Sequence, residues 1–349
     1  SAKWLWLILG GFLTIAVSGS LVHTLTEVWW FESVGFADVL WTRLRWQGAI
    51  AILSFASWWA ILFFNYAVAQ RLTRERPLRL VQNPQCDPYL PGLIRYVSLG
   101  FITLLALTAA VNGVETWEGV LKFLHPVDFG HQDPLYGREV SLYVFQLPLY
   151  QGLHRTVTEL LVWSLVLAAS IYGLKGEIRP ERGWKYFLTG EVKTHLCVLL
   201  AGLALVLALG FWLGRYELLY SPTGVVFGAG YADVNARMQA YGIMGFITIA
   251  VGVLFLAPLW RSGVLLPPTA ISLYVAVFLL ITGVYPWAQQ KFVVEPNELQ
   301  KEAPYIADNI ELTRQAYNLT EVEQQPFEVK NQLDVATLNR NSATIDNIR

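Results

Sequence analysis

The sequence predicts an all-α protein: a polytopic transmembrane helix bundle of about seven spans, with an exoplasmic interfacial helix and an acidic exoplasmic tail. Of its 349 residues, 54% are hydrophobic and 15% charged, and the mean hydropathy of +0.42 is too high for a soluble domain. Uninterrupted apolar stretches recur along the chain, each near the roughly 20 residues with which a helix crosses a bilayer. Barrel strands would alternate polar and apolar residues, so helices are the structure that satisfies the backbone in lipid.

Seven apolar stretches are expected to span the membrane. The first has no small-residue cleavage site after it, which indicates an anchor and not a signal peptide. The fourth stretch is the shortest. If it spans the membrane, either Glu159 and Lys175 lie at the two interfaces or the helix extends outward past Thr156. The alternative is a segment that only dips into the membrane. The predicted spans are Trp4–Val22, Gly48–Ala69, Tyr96–Val114, Leu160–Leu174, Leu196–Leu213, Tyr241–Trp260 and Val264–Trp287.

Basic connections predict the orientation of these spans. Lysine and arginine concentrate between spans two and three and between spans four and five, and such connections stay in the cytoplasm. With an odd number of spans, the amino terminus is then cytoplasmic and the carboxy-terminal tail exoplasmic. The basic residues concerned are Arg71, Arg74, Arg76, Arg79 and Arg95, and Lys175, Arg179, Arg182, Lys185 and Lys193.

Two helices are expected outside the spans. After Glu115 the apolar residues keep helical spacing until Pro126, with Glu118 and Lys122 paired on the opposite face, which predicts an amphipathic helix in the plane of the interface. In the tail, Pro304 is expected in the first turn of a helix that ends at Asn318.

The chain is expected to divide at the end of the last span. Residues 1–291 form the seven-span transmembrane domain, and residues 292–349 form the start of an extracytoplasmic domain that is cut short after Arg349. From Glu295 onward there are ten acidic and five basic residues. Because a lone surface helix is only marginally stable in water, we expect this tail to dock on another surface.

The spans as drawn contain no Asp, Glu, Lys or Arg. Ion-coupled transporters and pumps bind or relay the coupling ion with such groups, so this class is disfavoured. Asn65 and Asn112 are the main polar side chains within the spans. An interhelical hydrogen bond or solvation near a span end explains each of them better than a transport site does.

One exoplasmic loop has weak metal-site character. Four possible oxygen or nitrogen ligands lie within nine residues, although their spacing matches no standard pattern: His125, Asp128, His131 and Asp133. Asp followed by Pro134 is also a common start of a turn, and this is the favoured interpretation.

Other chemistry is not indicated by the sequence. His23 could serve as an axial ligand of a pigment or haem, but it lies at a span end, and we predict no cofactor. Cys86 and Cys197 lack zinc-type spacing, so neither a disulfide nor a metal–thiolate site is expected. With a net charge of −1 and no basic patch interleaved with aromatics, nucleic acid is excluded as a partner. No catalytic residue is assigned, and an enzyme is not predicted.

Several long motifs resemble one bacterial family. They run from Trp29 to Gly35, from Asp133 to Gly137 with Tyr143 to Pro148, from Arg215 to Ser221 with Gly228 to Tyr231, and from Glu295 to Glu298 with Pro304 to Ile306 and Thr313 to Tyr317. These stretches are similar to uncharacterised protein family 0182. The resemblance implies a seven-span protein with a large extracytoplasmic domain, in a bacterial inner (plasma) or thylakoid membrane, with a periplasmic, lumenal or extracellular carboxy terminus. It carries over no catalytic residue.

The leading functional prediction is a non-enzymatic scaffold or accessory subunit that binds other integral membrane proteins, with membrane lipids as further partners. The first alternative is a channel or uncoupled transporter for an apolar or lipid-like substrate, and the second is an exoplasmic metal-dependent enzyme. Aromatic residues of the family-like stretches are the predicted partner-binding residues: Trp29, Trp30, Phe31, Tyr136, Tyr220, Tyr231, Tyr305 and Tyr317.

Overall fold

The protein is an all-α, polytopic transmembrane bundle. The computed structural model describes residues 18–19, 21–74, 90–178, 188, 190–257, 268–323 and 334–347, and it contains no named strand within them. Six helical segments in these ranges are long and apolar enough to cross a bilayer, and they coincide with predicted spans two to seven. The first predicted span, Trp4–Val22, lies almost wholly outside the described residues, as do Cys86 and several of the predicted cytoplasmic basic residues.

The helices are numbered in chain order. They are α1 (21–33), α2 (Ala37–Leu72), α3 (Leu90–Val114), α4 (Trp117–Leu124), α5 (Leu147–Leu174), α6 (Gly190–Glu217), α7 (Met238–Leu256), α8 (Pro268–Leu279), α9 (Tyr285–Gln289), α10 (Glu298–Ala316), α11 (Val335–Arg340) and α12 (Ser342–Ile345). Single π-helical turns extend α5 and α7 at their amino ends (Leu142–Gln146 and Asp233–Arg237) and join α8 to α9 (Leu280–Val284).

Several helices are longer than the apolar stretches that predicted them. Helix α2 begins eleven residues before Gly48, and α5 begins thirteen residues before Leu160. The fourth predicted span is therefore part of a longer helix that extends past Thr156, as one of the three interpretations of that stretch required. Pro148 lies in its first turn, where its missing N–H costs no helical hydrogen bond.

The core of the bundle lies among α2, α3, α5 and α6. Four side chains from α2, α3 and α5 are completely buried there: Leu62, Ile102, Ala168 and Tyr172. Helices α2 and α3 approach closely at Gly113, where an added Cβ would lie 2.6 Å from the Ser54 hydroxyl oxygen. Small residues permit such backbone approach between membrane helices.

A buried chain of polar side chains ties three of these helices together. The amide Nδ2 of Asn65 on α2 donates to the Ser164 hydroxyl on α5 (3.4 Å), and its Oδ1 accepts from Nε2 of His195 on α6 (3.1 Å). The other ring nitrogen of His195 then accepts from the Tyr172 hydroxyl at 2.6 Å. The predicted interhelical hydrogen bond of Asn65 is confirmed.

Helix α4 is confirmed as a short amphipathic helix. It ends two residues before Pro126, and Glu118 and Lys122 form an ion pair of 2.7 Å on its polar face. Its expected position in the plane of the interface stays a prediction.

The tail helix begins earlier than predicted. Helix α10 starts at Glu298 and not at Pro304, so the proline lies inside the helix and not in its first turn. A 3-10 turn (Glu295–Asn297) connects the end of the last span directly to α10. The chain therefore stays helical through residue 292, and no separate helix begins at Pro304. The predicted end is confirmed, because α10 stops at Ala316 and Asn318 adopts a left-handed conformation (φ +53°).

The tail helix also docks, as expected. The buried Glu302 carboxylate accepts a hydrogen bond from the Tyr231 amide (3.2 Å), and Asn309 donates to the Phe227 carbonyl at 2.8 Å. Tyr136 brings a second connection to the same end of the bundle through a hydrogen bond from its hydroxyl to the Arg215 carbonyl. We call the connections 125–141 and 218–230, together with α10, the cap.

Candidate functional site

A cleft opens between α5, α6, α7 and α8 below the cap. Its volume is about 820 Å³, and polar residues line one wall while apolar residues line the others. The lining residues are Gln151, His154, Arg155, Thr158 and Glu159 of α5, Leu207, Gly210, Phe211, Leu213, Gly214 and Glu217 of α6, Tyr241 of α7, and Tyr274, Phe278 and Thr282 of the α8 segment.

The polar wall is a stripe along one face of α5. Its five residues lie at one position and at three, four, seven and eight residues beyond it, a spacing that aligns them on one helix face: Gln151, His154, Arg155, Thr158 and Glu159. The rest of the helix is predominantly apolar, as a membrane span requires. Such a stripe is directed at a cavity, at water or at another protein, because lipid chains solvate it poorly.

One ionisable residue of this stripe, Glu159, lies at membrane depth, and Arg155 lies one helical turn nearer the cap. Helix α5 has 28 residues and is therefore about 42 Å long at 1.5 Å per residue, whereas a hydrocarbon core is about 30 Å thick. Glu159 follows Leu147 by twelve residues, or about 18 Å. Wherever a core of that thickness is placed along α5, Glu159 lies at least about 6 Å inside it. The spans as drawn from the sequence carry no ionisable residue, but α5 begins earlier than its apolar stretch and therefore includes Arg155 and Glu159.

Neither Arg155 nor Glu159 has a partner in the described part of the chain. The two side chains are exposed in the cleft and form no ion pair or hydrogen bond with one another or with any other described residue. An unpaired charge at membrane depth is costly, so each requires a counter-charge or water.

His154 closes the cleft on the α6 side. Its Nε2 donates a hydrogen bond to the Val206 carbonyl at 3.0 Å, since a carbonyl oxygen only accepts. The ring fits because residue 210 is glycine: an added Cβ would lie 2.6 Å from Nε2. Gly210 is therefore required for the present packing of α5 on α6.

The end of the cleft nearest the cap has a polar rim. The Gln151 side-chain amide donates to a Glu217 carboxylate oxygen at 2.9 Å and links α5 to α6. At the deeper end the walls are aromatic and aliphatic, with the rings of Phe211 and Phe278 6.1 Å apart. The Tyr274 hydroxyl is paired with Thr248 at 2.8 Å. The cleft is thus amphipathic along its length.

Comparison with known proteins assigns the chain to a family. The model of the Uncharacterised protein family (UPF0182) matches residues 4–349. The chain belongs to the UPF0182 family. Relatives, each named UPF0182 protein, include one from Trichodesmium erythraeum (strain IMS101), 43% identical over 336 residues, and one from Moorella thermoacetica (strain ATCC 39073 / JCM 9320), 33% identical over 353 residues. These alignments cover 96% and 99% of this chain but only 37% and 38% of the relatives, so the chain spans less than two fifths of their length. No solved structure matches it.

The predicted metal ligands of this UPF0182 member are not brought together. His125, Asp128 and His131 are exposed, whereas Asp133 is buried. The Asp133 carboxylate accepts hydrogen bonds from three backbone amides of the following turn and from the Tyr143 hydroxyl at 2.8 Å. Within the described ranges no three His, Cys, Asp or Glu residues form a metal-ligating group. The turn interpretation of Asp133 is the one that its hydrogen bonds support.

A neighbouring carboxylate organises the same loop. Glu139 accepts hydrogen bonds from the amides of Phe129 (2.8 Å) and Gly130 (3.1 Å) and from Ser141. Hydrogen bonding by Ser141, then by the two loop amides, lowers the pKa of the Glu139 carboxyl below its ordinary value. The loop is therefore tied by two carboxylates: Asp133, which the turn interpretation assigned to it, and Glu139, which sequence reasoning did not.

The predicted cofactor ligand and partner-binding residues fall into two groups. His23 is exposed on α1, and Trp29, Trp30, Tyr220 and Tyr317 are exposed as well. The remaining aromatics contact this chain itself.

Those inward contacts organise the cap and its surroundings. The Tyr305 hydroxyl accepts from Asn235 at 3.2 Å, and the Tyr231 ring lies 4.8 Å from the Lys301 ammonium. Phe31 packs edge-on against Trp30. Burial raises the pKa of Tyr136 to about 12, so its phenol remains a hydrogen-bond donor to the α6 backbone.

Proposed function

We propose that this UPF0182 protein binds an amphipathic, lipid-like molecule in the cleft and moves it or presents it within the membrane, without catalysing a reaction. The observation that carries the proposal is the pair of unpaired ionisable side chains, Arg155 and Glu159, on a membrane-spanning helix in a cavity with apolar walls. Intramembrane ionisable residues mark substrate or ion pathways by default.

The dimensions and polarity of the cleft support this assignment. Small-molecule sites typically enclose about 300–1,000 Å³, and about 820 Å³ falls within that range. A headgroup would lie along the polar stripe of α5, and an acyl chain would lie against Leu207, Phe211 and Phe278. A purely apolar ligand would leave the two charges unpaired, and a purely polar one would leave the aromatic wall in contact with water.

Sidedness follows from the charges of the connections. We propose that the cap end is periplasmic, lumenal or extracellular in a bacterial inner or thylakoid membrane, since the described basic residues that flank the two predicted cytoplasmic connections lie at the other ends of α2, α3, α5 and α6: Arg71, Arg74, Arg95, Lys175 and Lys193. The cleft would then accept its ligand from the outer leaflet.

Filling the cleft tests the proposal. Leu207→Trp adds an indole to the cleft wall and should reduce the lipid retained by the purified protein several-fold. Leu209→Trp lies on the same helix but outside the cleft lining, and it should retain the wild-type amount. Retained lipid is measured by native mass spectrometry from detergent; equal retention in both variants would refute the cleft as the binding site.

A second candidate, the scaffold, is favoured by a different observation. Trp29 and Trp30 on α1 are 64% and 60% exposed, and adjacent large aromatics are typical of protein–protein contact sites as well as of headgroup anchors. The double variant Trp29→Ala, Trp30→Ala should release a co-purifying membrane protein after gentle solubilisation. A wild-type chain that elutes as a lone monomer would count against the scaffold.

A further inference from the structure

We propose that the cleft selects a zwitterionic phospholipid headgroup with a primary amine, holding the phosphate at Arg155 and the ammonium at Glu159. This inference rests on the proposed lipid-binding function and names the class of ligand. It is drawn from the signs, spacing and pairing of the charges that line the cleft.

The two charges are placed to bind a ligand rather than each other. Residues four apart on a helix have Cβ atoms about 6 Å apart and face the same side. The order Arg before Glu is the less favourable one for pairing within a helix, and Arg155 and Glu159 form no ion pair here. A phosphate and an ammonium joined by two carbons can reach both side chains at once.

Each side chain suits one half of such a headgroup. A guanidinium binds phosphate oxygens with two parallel hydrogen bonds. A primary ammonium has three N–H donors for a carboxylate, whereas a trimethylated nitrogen has none. The Glu159 carboxylate would therefore distinguish ethanolamine from choline, and Arg155 would contribute equally to both.

The remaining charges argue against an anionic headgroup. Among the described residues that line the cleft, Arg155 is the one arginine or lysine, while Glu159 and Glu217 contribute two carboxylates. Glu217 already accepts the Gln151 amide, so its need for a partner is partly met. A headgroup without an amine would leave Glu159 uncompensated beside a second negative charge.

The test uses three phospholipids with identical acyl chains. The chain is titrated with 1-palmitoyl-2-oleoyl phosphatidylethanolamine, phosphatidylcholine or phosphatidylglycerol, and bound lipid is counted by native mass spectrometry. The wild type should prefer phosphatidylethanolamine by roughly tenfold or more, because its ammonium can donate a hydrogen bond to the Glu159 carboxylate and the choline nitrogen cannot. Free phosphoethanolamine, which lacks chains, should bind far more weakly.

Three variants separate the contributions. Glu159→Gln should abolish the preference over phosphatidylcholine, because it weakens phosphatidylethanolamine more than phosphatidylcholine. Arg155→Gln should weaken all three lipids roughly tenfold, and Glu217→Gln should alter the preference little. Thermal unfolding checks that each variant is folded, and an altered melting curve is resolved by repeating the titration with Arg155→Lys and Glu159→Asp.

The outcomes distinguish this inference from the proposed function. A wild type that binds all three lipids equally, or a Glu159→Gln variant that keeps the preference, overturns the headgroup assignment but leaves lipid binding intact. No saturable lipid binding, with no effect of Leu207→Trp, overturns both.

Discussion

At the scale of single residues, the contact between His154 and Gly210 fixes how closely α5 approaches α6. The imidazole occupies the space that a side chain at 210 would need, and it is held there by its hydrogen bond to Val206. Gly202, two turns away on the same helix, has only an ordinary contact of 3.8 Å between its added Cβ and Leu161. The two glycines therefore have different roles.

Gly210→Ala is predicted to destabilise the protein, whereas Gly202→Ala is not. Overpacking costs about 1–3 kcal/mol, which exceeds the gain of up to about 1 kcal/mol of alanine over glycine in a helix. Thermal unfolding in detergent should show a lower Tm for Gly210→Ala and an unchanged or higher Tm for Gly202→Ala. In a His154→Ala background the Gly210→Ala penalty should disappear; a persistent penalty would show that the ring is not its cause.

A second prediction at this scale concerns pH. Because hydrogen bonding lowers the pKa of Glu139 in the folded state, its contribution to stability is fully present above the ordinary value of 4.5 and is lost as the pH falls through the lower folded pKa. Hydrogen exchange at the Phe129 and Gly130 amides, corrected for the intrinsic rate, should accelerate over that range. Glu139→Gln should remove the pH dependence, and Glu118→Gln on α4 should not. Equal acceleration in wild type and Glu139→Gln would contradict this account.

At the scale of elements, the docking of α10 depends on one carboxylate. Glu302 is buried against Gly230 and Tyr231, and a Cβ on Gly230 would lie only 3.0 Å from its Oε2. The contact joins the tail to the residues at the amino end of the α7 segment, where backbone N–H groups without a helical partner favour a negative charge. Glu298, in the first turn of α10, is exposed.

Glu302→Ala is therefore predicted to release α10 from the cap. Leaving the Tyr231 amide unpaired costs about 1–3 kcal/mol, so α10 should open roughly 10–100 times more often. Hydrogen exchange across residues 298–316 measures the opening, and Glu298→Ala is the matched control. Unchanged exchange in Glu302→Ala would mean that other contacts hold the helix.

The positions of the spans could be predicted from sequence, but their ends could not. A window of apolar residues locates the part of a helix that lies in hydrocarbon, and six of the predicted spans are confirmed in this way. The same helices continue into half-polar sequence, as α2 does before Gly48 and α5 before Leu160, because intrahelical hydrogen bonds do not require an apolar side chain.

The cleft was missed for the same reason. Glu159 ended the apolar window of the fourth span, so it was placed at an interface or outside the span, and Arg155 was given no position. The spacing of the polar stripe from Gln151 to Glu159 was the available signal, and it would have predicted one polar helix face. Which helices enclose that face depends on tertiary packing, for which a single sequence carries no comparable signal.

At the scale of the whole molecule, hydrogen bonds between side chains link the helices at each end of the described core, and the cleft lies on one side. The polar chain from Asn65 to Tyr172 ties α2, α5 and α6 together away from the cap. Helices α7 and α8 complete the cleft on the other side of α6. The proposed function requires that the polar stripe of α5, including Glu159, lines a cleft that polar molecules can enter from the cap end.

Cysteine accessibility tests that claim most directly. In a background of Cys86→Ser and Cys197→Ala, Thr158→Cys places a thiol in the cleft beside Glu159, and Thr156→Cys places one at similar depth on α5 outside the cleft lining. An anionic methanethiosulfonate that does not cross membranes is added to sealed vesicles from the cap side. The account predicts rapid modification at position 158 and none at 156; a thiol at 158 that reacts no faster than one at 156 would contradict it.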